Sequence, residues 1–451
     1  MTETSGVSHY DLIVIGGGPA GEKGAAQAAY FGKRVLLIEE LEQLGGAAAN
    51  TGTLPSKTLR ETSLTLSGLR ARSLYGVDLS LRREATVADL LYREQTVVGA
   101  ERVRADHNVK RHGITLVRGR ASFVAPNHVR MTAADGDVTS AQGDIILIAT
   151  GSSPRRPPAF PFDHPSIYDS DTILSLRAIP ERMAVVGGGV IGCEYACTFA
   201  ALGCDVTLID GGTRLLGFLD VELSAALRAG MEQLGIRMVA PARVQSCRPI
   251  DASRVTLDVG NGVTVDADAV LVAAGRTSNT ASLGVAEAGI ITDESGRIDV
   301  DQNYRTCVPH IYAAGDVIGF PALASTSMEQ ARLAMVHAFD LKYKTEFAPI
   351  LPYGIYTIPE LSMAGETEET LQKAGIPYVV GRAEYNANAR GLIIGDRAGF
   401  VKLLYRADDM KLVGTHIIGE MATEILHIGL TAMLCNATAD LFIRMCFNYP
   451  T

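Results

Sequence analysis

The sequence predicts an α/β fold in which one βαβ unit is used twice, followed by a smaller α+β domain. Three observations carry that reading. Two segments share a plan, DLIVIGGGPAGEKGAAQAAYFGKRVLLIEE from Asp11 and MAVVGGGVIGCEYACTFAALGCDVTLIDGG from Met183. In each, a β-branched apolar run meets a glycine cluster, then an Ala-rich stretch at helical spacing, then a second apolar run ending in an acid. Each unit is closed later by another strand and glycine, LIATG at 147–151 and LVAAG at 271–275. From about residue 346 the pattern changes, and strand-like YVVGRAEY, GFVKLLY and KLVGTHIIG alternate with the helical ATEILHIGLTAMLC.

The totals bound the rest. A chain of 451 residues has room for two or three domains and a large core. Hydrophobic residues make up 47% and charged ones 20%, an ordinary globular balance. Lys plus Arg number 41 against 50 Asp plus Glu, a net charge of −9, so nothing draws the chain to nucleic acid or an anionic membrane. The apolar run near the N-terminus is too short for a signal peptide, and no run approaches a membrane span, so a cytoplasmic location is expected. Seven cysteines form no CxxC pair and read as reduced, mostly buried thiols. Cys193 and Cys197 lie one helical turn apart without further ligands nearby, and nine histidines are scattered, so no metal site is expected.

Taken in order, the first unit opens at Gly16, Gly18 and Gly21, and the second at Gly187, Gly189 and Gly192. Each G-x-G-x-x-G follows a predicted strand, starts a predicted helix, and precedes an acid by 18 residues, Glu39 and Asp210. A lone motif of this kind can be a helix-packing turn; a matched pair in matched context points to dinucleotide binding. The first glycine permits the tight turn, the second lets backbone approach a pyrophosphate, and the third allows helix and strand to touch. The helix N-terminus then offers free N–H groups and partial positive charge to the phosphates. Glu39 and Asp210 are placed to hydrogen-bond ribose hydroxyls. Between Leu64 and Lys110, charged and apolar residues mix at helical spacing, which predicts a pair of long helices inserted into the first domain. The expected domains are 1–155 with 281–345, then 156–280, then 346–451.

With GGGPAG, TLPSK, IATGSSP, GGGVIGCEYA, AAGRTSN and TCVPHIYAAGDV in place, the whole chain resembles the flavoprotein reductases typified by dihydrolipoamide dehydrogenase and glutathione reductase. The resemblance implies two Rossmann-like dinucleotide-binding domains, the first for FAD and the second for NAD(P), plus an α+β C-terminal dimerisation domain. It places Glu40, Gly45, Gly46, Lys57, Gly151, Gly275 and Asp316 among the cofactor-binding residues, with Asp316 at the flavin's ribityl chain. It also pairs Lys57 with Glu194 beside the flavin, where positive charge favours the reduced form and the carboxylate compensates the ammonium. A plain structural ion pair is the alternative reading.

The stretch GGAAANTGTLPSKTL at 45–59 departs from the disulfide reductases, whose two redox cysteines fall at Ala48 and Thr53 here. Neither residue can form a thiolate, so neither can attack a disulfide. The histidine that serves those thiols as acid–base catalyst is replaced by Tyr449 in FNYPT. A phenol is poorly matched to thiol proton transfer at neutral pH, and Tyr449 reads equally as a packing aromatic and as a catalytic residue.

IYDSDTIL, GGGVIGCEYA, RLLGFLDVELS, GIYTIPELS and FNYPT sharpen the resemblance to the soluble pyridine nucleotide transhydrogenases. That family implies hydride transfer between NADP(H) and NAD(H) through one FAD, by a ping-pong mechanism, in a homodimer. Two other outcomes share the motifs: an NAD(P)H diaphorase or oxidase passing electrons to quinone or oxygen, and a non-catalytic flavin-binding subunit. Asp210 should repel a 2′-phosphate. The family's arginine for that phosphate falls near Gly212, which leaves Arg214 as the nearby cation, equally readable as a surface charge at a helix start. Family members continue past this Pro-Thr, so the interface domain is expected to stop short here.

Overall fold

The run Leu12–Ile15 takes the centre of a sheet because its alternate side chains are buried on opposite faces. Leu12 and Val14 join a cluster with Val35, Leu37 and Leu147, while Ile13 and Ile15 join one with Leu36, Ile38, Ile146 and Ile148. Such double burial is the mark of a parallel strand flanked on both sides, and each fully buried Leu or Ile contributes about 1.5–3 kcal/mol. A computed structural model describes residues 7–68, 86–344 and 346–451, which group into two units.

The first unit comprises Met1–Pro55, Glu94–Arg155 and Arg276–Phe347. Its sheet contains β1 (Ser8–Ile15), β2 (Val35–Glu39), β3 (Thr115–Arg118), β4 (Arg120–Ala125), β5 (His128–Thr132) and β6 (Val138–Ile148), in the order β3-β2-β1-β6-β5-β4. Strand Ile311–Ala313 adds to β6 in parallel. Ile15 stands opposite both Ile38 and Ile148, so β1, β2 and β6 end level with one another. The turn after Ile15, Glu39 and the Ala149–Gly151 segment therefore emerge along one rim, the carboxyl end where open α/β sheets bind ligands. Helix α1 (Pro19–Tyr30) starts with proline at its first turn, which suits a position lacking an intrahelical donor role. With helix Ala324–Ala338 and the Ala105 and Val109 turns of a later helix, it covers one face of the sheet.

The second unit comprises Ser56–Arg93, Arg156–Gly275 and Ala348–Thr451. Its parallel sheet runs Arg237–Val239, Asp205–Ile209, Arg182–Val186, Ala269–Val272, Ile167–Asp169. Val186 faces Ile209 and Val272, repeating the level ends of the first sheet. A second sheet of this unit is antiparallel and five-stranded, in the order Tyr353–Ile355, Leu361–Gly365, Leu412–Ile418, Phe400–Arg406, Tyr378–Glu384. The helix Ala422–Leu434 seals one face of it through Ala422, Leu426, Ala432 and Met433.

Of the two helices expected between Leu64 and Lys110, one is described, α4 (Val87–Arg111); the short α2 (Gly46–Asn50) and α3 (Thr53–Leu66) lie before that stretch, apart from the last residues of α3. The intervening 69–85 lies outside the described residues. Among the described residues no helix is long and apolar enough to cross a membrane.

Candidate functional site

The two glycine turns have the same construction. Gly16 and Gly187 adopt φ of +103° and +110°, which L side chains rarely tolerate, and a Cβ on either would strike the carbonyl of Ala149 or Ala273. A Cβ on Gly21 or Gly192 would strike the carbonyl oxygen of Gly16 or Gly187, so the first helical turn rests directly on the strand end. The middle glycines differ in kind. A Cβ on Gly189 would meet nothing within 4 Å, and one on Gly18 would touch only Gly46, at 3.5 Å. Space is thus kept where α1 and α5 (Val190–Ala201) present their first N–H groups, which is what a pyrophosphate requires.

The acids brace these turns. Glu39 accepts from the N–H of Gly17 at 2.6 Å and of Leu41 at 2.8 Å. Asp210 accepts from Gly188 N–H at 2.9 Å and Gly212 N–H at 3.0 Å. A carboxylate has lone pairs for further donors, so ribose hydroxyls remain compatible with both. Glu40 instead pairs at the exposed surface with Arg120.

In the first unit, Gly45 and Gly46 take φ of +99° and +55° and fold back onto the glycine turn, Gly45 N–H donating to the Gly17 carbonyl at 2.9 Å. Gly151 also has positive φ, +69°, and faces open space. Asp316 follows strand Ile311–Ala313, where Gly315 turns the chain at φ +83°. Its carboxylate accepts from Ser152 Oγ at 2.9 Å, and that oxygen accepts from Arg276 Nε at 2.7 Å. Ser152 and Arg276 lie within the IATGSSP and AAGRTSN segments, yet spacing along the chain gave neither a role. The chemistry of this unit, a braced glycine turn plus an oriented carboxylate, fits a flavin dinucleotide. The second unit's open Gly189 turn, together with Gly275 at φ +100° before open space, fits a nicotinamide one.

Lys57 and Glu194, 137 positions apart, meet as an ion pair in the second unit. Glu194 is almost fully buried on the first turns of α5 and uses its other oxygen to accept Tyr356 N–H at 2.9 Å. Lys57 keeps 26% of its side chain exposed and lies 5.2 Å from the centre of the Tyr356 ring. One turn further along α3, buried Arg60 donates to the Thr357 carbonyl at 3.0 Å and approaches Glu360 at 3.5 Å. Three charged side chains thus fasten α3 and α5 to the 356–360 segment. Only the Lys57 ammonium keeps an open side. Tyr449 is 83% exposed and, among the described residues, makes no hydrogen bond.

Ala48 lies within α2 and Thr53 opens α3. The cysteines sit elsewhere. Cys193, Cys197, Cys204 and Cys247 are buried and all seven are unpaired. Burial pushes the Cys197 and Cys204 thiols up to about 12 and Cys247 to about 11, and raises Cys193 too. These four behave as small apolar side chains. The acidic group Asp220, Glu222 and Glu368 has the spacing of metal ligands but already holds the ammonium of Lys402, which is 2.8 Å from Asp220 and 3.1 Å from Glu222.

Comparison with known proteins agrees with this architecture. The pyridine nucleotide-disulphide oxidoreductase profile matches residues 10–335, and the dimerisation domain of the same family matches residues 351–451. A soluble pyridine nucleotide transhydrogenase of Mycobacterium tuberculosis is 44% identical over 98% of this chain and 94% of its own length. A protein of the same name from Hahella chejuensis is 40% identical over 98% and 95%. Among solved structures, LpdA from M. tuberculosis superposes with a TM-score of 0.90 at 26% identity, covering 99% of this chain and 97% of that one. The HOCl-induced flavoprotein disulfide reductase RclA from Escherichia coli gives 0.88 at 26% identity, over 98% and 97%. The chain belongs to the pyridine nucleotide-disulphide oxidoreductase family, as an FAD- and NAD(P)H-dependent enzyme with that family's dimerisation domain.

Proposed function

We propose that the chain transfers hydride between nicotinamide nucleotides, NADPH and NAD+ giving NADP+ and NADH, in a ping-pong reaction with no redox disulfide. One observation carries the reading: Lys57 and Glu194 are paired and braced, while Ala48 and Thr53 occupy the positions of the family's redox thiols. The relatives bearing the transhydrogenase name support it. FAD, when bound, would supply a two-electron acceptor that takes hydride from one nicotinamide and returns it to another.

The protein's own part is binding, orientation and electrostatics. The Gly16–Gly21 turn with Glu39, and Asp316 oriented through Ser152 and Arg276, would hold the flavin. The Gly187–Gly192 turn with Asp210 would hold each nicotinamide nucleotide in succession. Lys57 would supply positive charge as negative charge accumulates nearby, with Glu194 fixing its position. Direct hydride transfer needs no proton shuttle, so the reading requires no acid–base residue and gives Tyr449 no proton-transfer step. Seven unpaired cysteines suit a reducing compartment, and we place the reaction in the cytoplasm.

The test is a half-reaction pair. The yellow holoprotein is reduced anaerobically with NADPH and then mixed with thionicotinamide NAD+. Rapid flavin reoxidation with stoichiometric analogue reduction is expected. Reoxidation by quinone or air alone would make the chain a diaphorase, and no bleaching would make it a binding subunit.

A further inference from the structure

In Rossmann domains the acid that ends the second strand meets the ribose hydroxyls of NAD(H), and an arginine nearby accommodates the 2′-phosphate of NADP(H), so the loop after strand Asp205–Ile209 is the place to look for coenzyme choice. Here the loop is Asp210-Gly211-Gly212-Thr213-Arg214. Arg214 is spent elsewhere: its guanidinium donates to Glu369 at 2.7 Å and to the Gly217 carbonyl at 2.5 Å. Gly212 has no side chain to offer, and a Cβ there would press on the Asp210 carboxylate at 2.9 Å.

A different cation flanks the loop. Strand Arg237–Val239 runs parallel to Asp205–Ile209, and the chain beyond it returns past the loop, where Ala242 N–H donates to the Asp210 carbonyl at 2.7 Å. The next residue, Arg243, therefore lies against Gly211. A Cβ on Gly211 would stand 3.1 Å from its Nε and 3.6 Å from its Cζ. The missing side chain at 211 is the space that the guanidinium occupies. Arg243 is exposed and has no hydrogen-bonding or ion-pair partner among the described residues. A planar, permanently charged fork without a carboxylate of its own, held at the edge of a nucleotide loop, is suited to a phosphate dianion.

We propose that Arg243 is the 2′-phosphate-binding residue of this chain, replacing the arginine that the loop lacks at Gly212 and offsetting the repulsion from Asp210. The assignment rests on the NADP(H) half of the reaction proposed above. It accounts for a chain that keeps an acid at the ribose and still meets a phosphorylated coenzyme: Asp210 takes the unmodified ribose, and Arg243 takes the extra phosphate from the side. The sequence conceals it because Arg243 stands 33 positions beyond Asp210, in a separate loop.

The test is a binding titration of the FAD-loaded protein with adenosine 2′,5′-bisphosphate and with adenosine 5′-phosphate, which needs no turnover and so stands apart from the identity of the electron acceptor. The wild type should prefer the bisphosphate. Arg243→Ala should reduce that preference by about tenfold or more, Arg243→Glu should reverse it, and Arg243→Lys should restore part of it. Arg214→Ala should leave the preference intact. Wild type without a preference, Arg243→Ala retaining it, or Arg214→Ala abolishing it would each overturn the assignment.

Discussion

The Lys57 ammonium gains charge compensation from a carboxylate that is itself fixed by a backbone N–H, so its position is set by α5 and the 356–360 segment rather than by its own flexible stem. Lys57→Ala should slow flavin reduction by NAD(P)H by roughly 100-fold while changing nucleotide affinity little, a contrast that rapid-mixing kinetics resolves. Equal losses in both would reduce the pair to a structural one. The glycine turns make a different prediction. Gly21→Ala would force a methyl group into the Gly16 carbonyl, so the variant should lose flavin on gel filtration and about 1–3 kcal/mol or more of stability. At this scale the sequence was legible wherever a residue's backbone geometry dictates its identity: Gly16, Gly21, Gly187 and Gly192 could be read from spacing alone. Lys57 with Glu194 was reachable only through the family resemblance, since nothing local brings together residues 137 positions apart. Ser152, Arg276 and Arg243 were not reachable, because each acts on a segment distant in the chain.

At the scale of elements, the second unit's α6 (Val221–Gln233) is tied to the C-terminal sheet by one buried cation. Lys402, 1% exposed on strand Phe400–Arg406, donates to Asp220, the residue capping α6, and to Glu368, which opens helix Glu368–Ala374, at 2.8 and 2.5 Å. Burial opposes charge on Asp220 more than any single contact favours it, but the Lys402 hydrogen bond and charge, with the Glu368 N–H, together leave the carboxyl below its usual value. A second hydrogen bond from Lys402 lowers Glu368. Burial also opposes charge on Lys402, and its three carboxylates overcome it, raising the ammonium. The signs follow. Asp220 and Glu368 titrate lower folded than unfolded, so their contribution is whole above the unfolded values and is lost as pH falls below about 4. Lys402 titrates higher folded, so its contribution is whole below about 10.4 and is lost as pH rises further. Lys402→Met leaves the carboxylates uncompensated and should cost about 3–5 kcal/mol near neutral pH, with a shallower acid limb in denaturant melts across pH. Composition could place the strand, since FVKLLY is a short run of mostly apolar, β-branched and aromatic residues, but it could not show that its lysine faces inward to an acidic cluster. The parallel sheets were easier to read, because doubly buried strands are continuous apolar runs between glycine signals.

At the scale of the whole molecule, the C-terminal segment exposes several large apolar side chains, Ile443 at 78%, and Ile428, Leu434, Met445 and Phe447 also. They lie within the residues that match the family's dimerisation domain. Light scattering should return the mass of a homodimer, and Ile443→Asp should shift it toward the monomer, with flavin retained on the first unit's glycine turn. The two βαβ units and the α+β tail could be read from repeat and pattern; partner contacts leave no trace in a single chain beyond such unpaired apolar positions. The central claim concerns electrons: they enter and leave by the flavin because no thiol pair stands at positions 48 and 53. Anaerobic titration with NADH, followed by counting of free thiols, tests it most directly. A single two-electron equivalent per flavin should complete the bleaching with the thiol count unchanged. Uptake of a second equivalent, accompanied by newly released thiols, would contradict it.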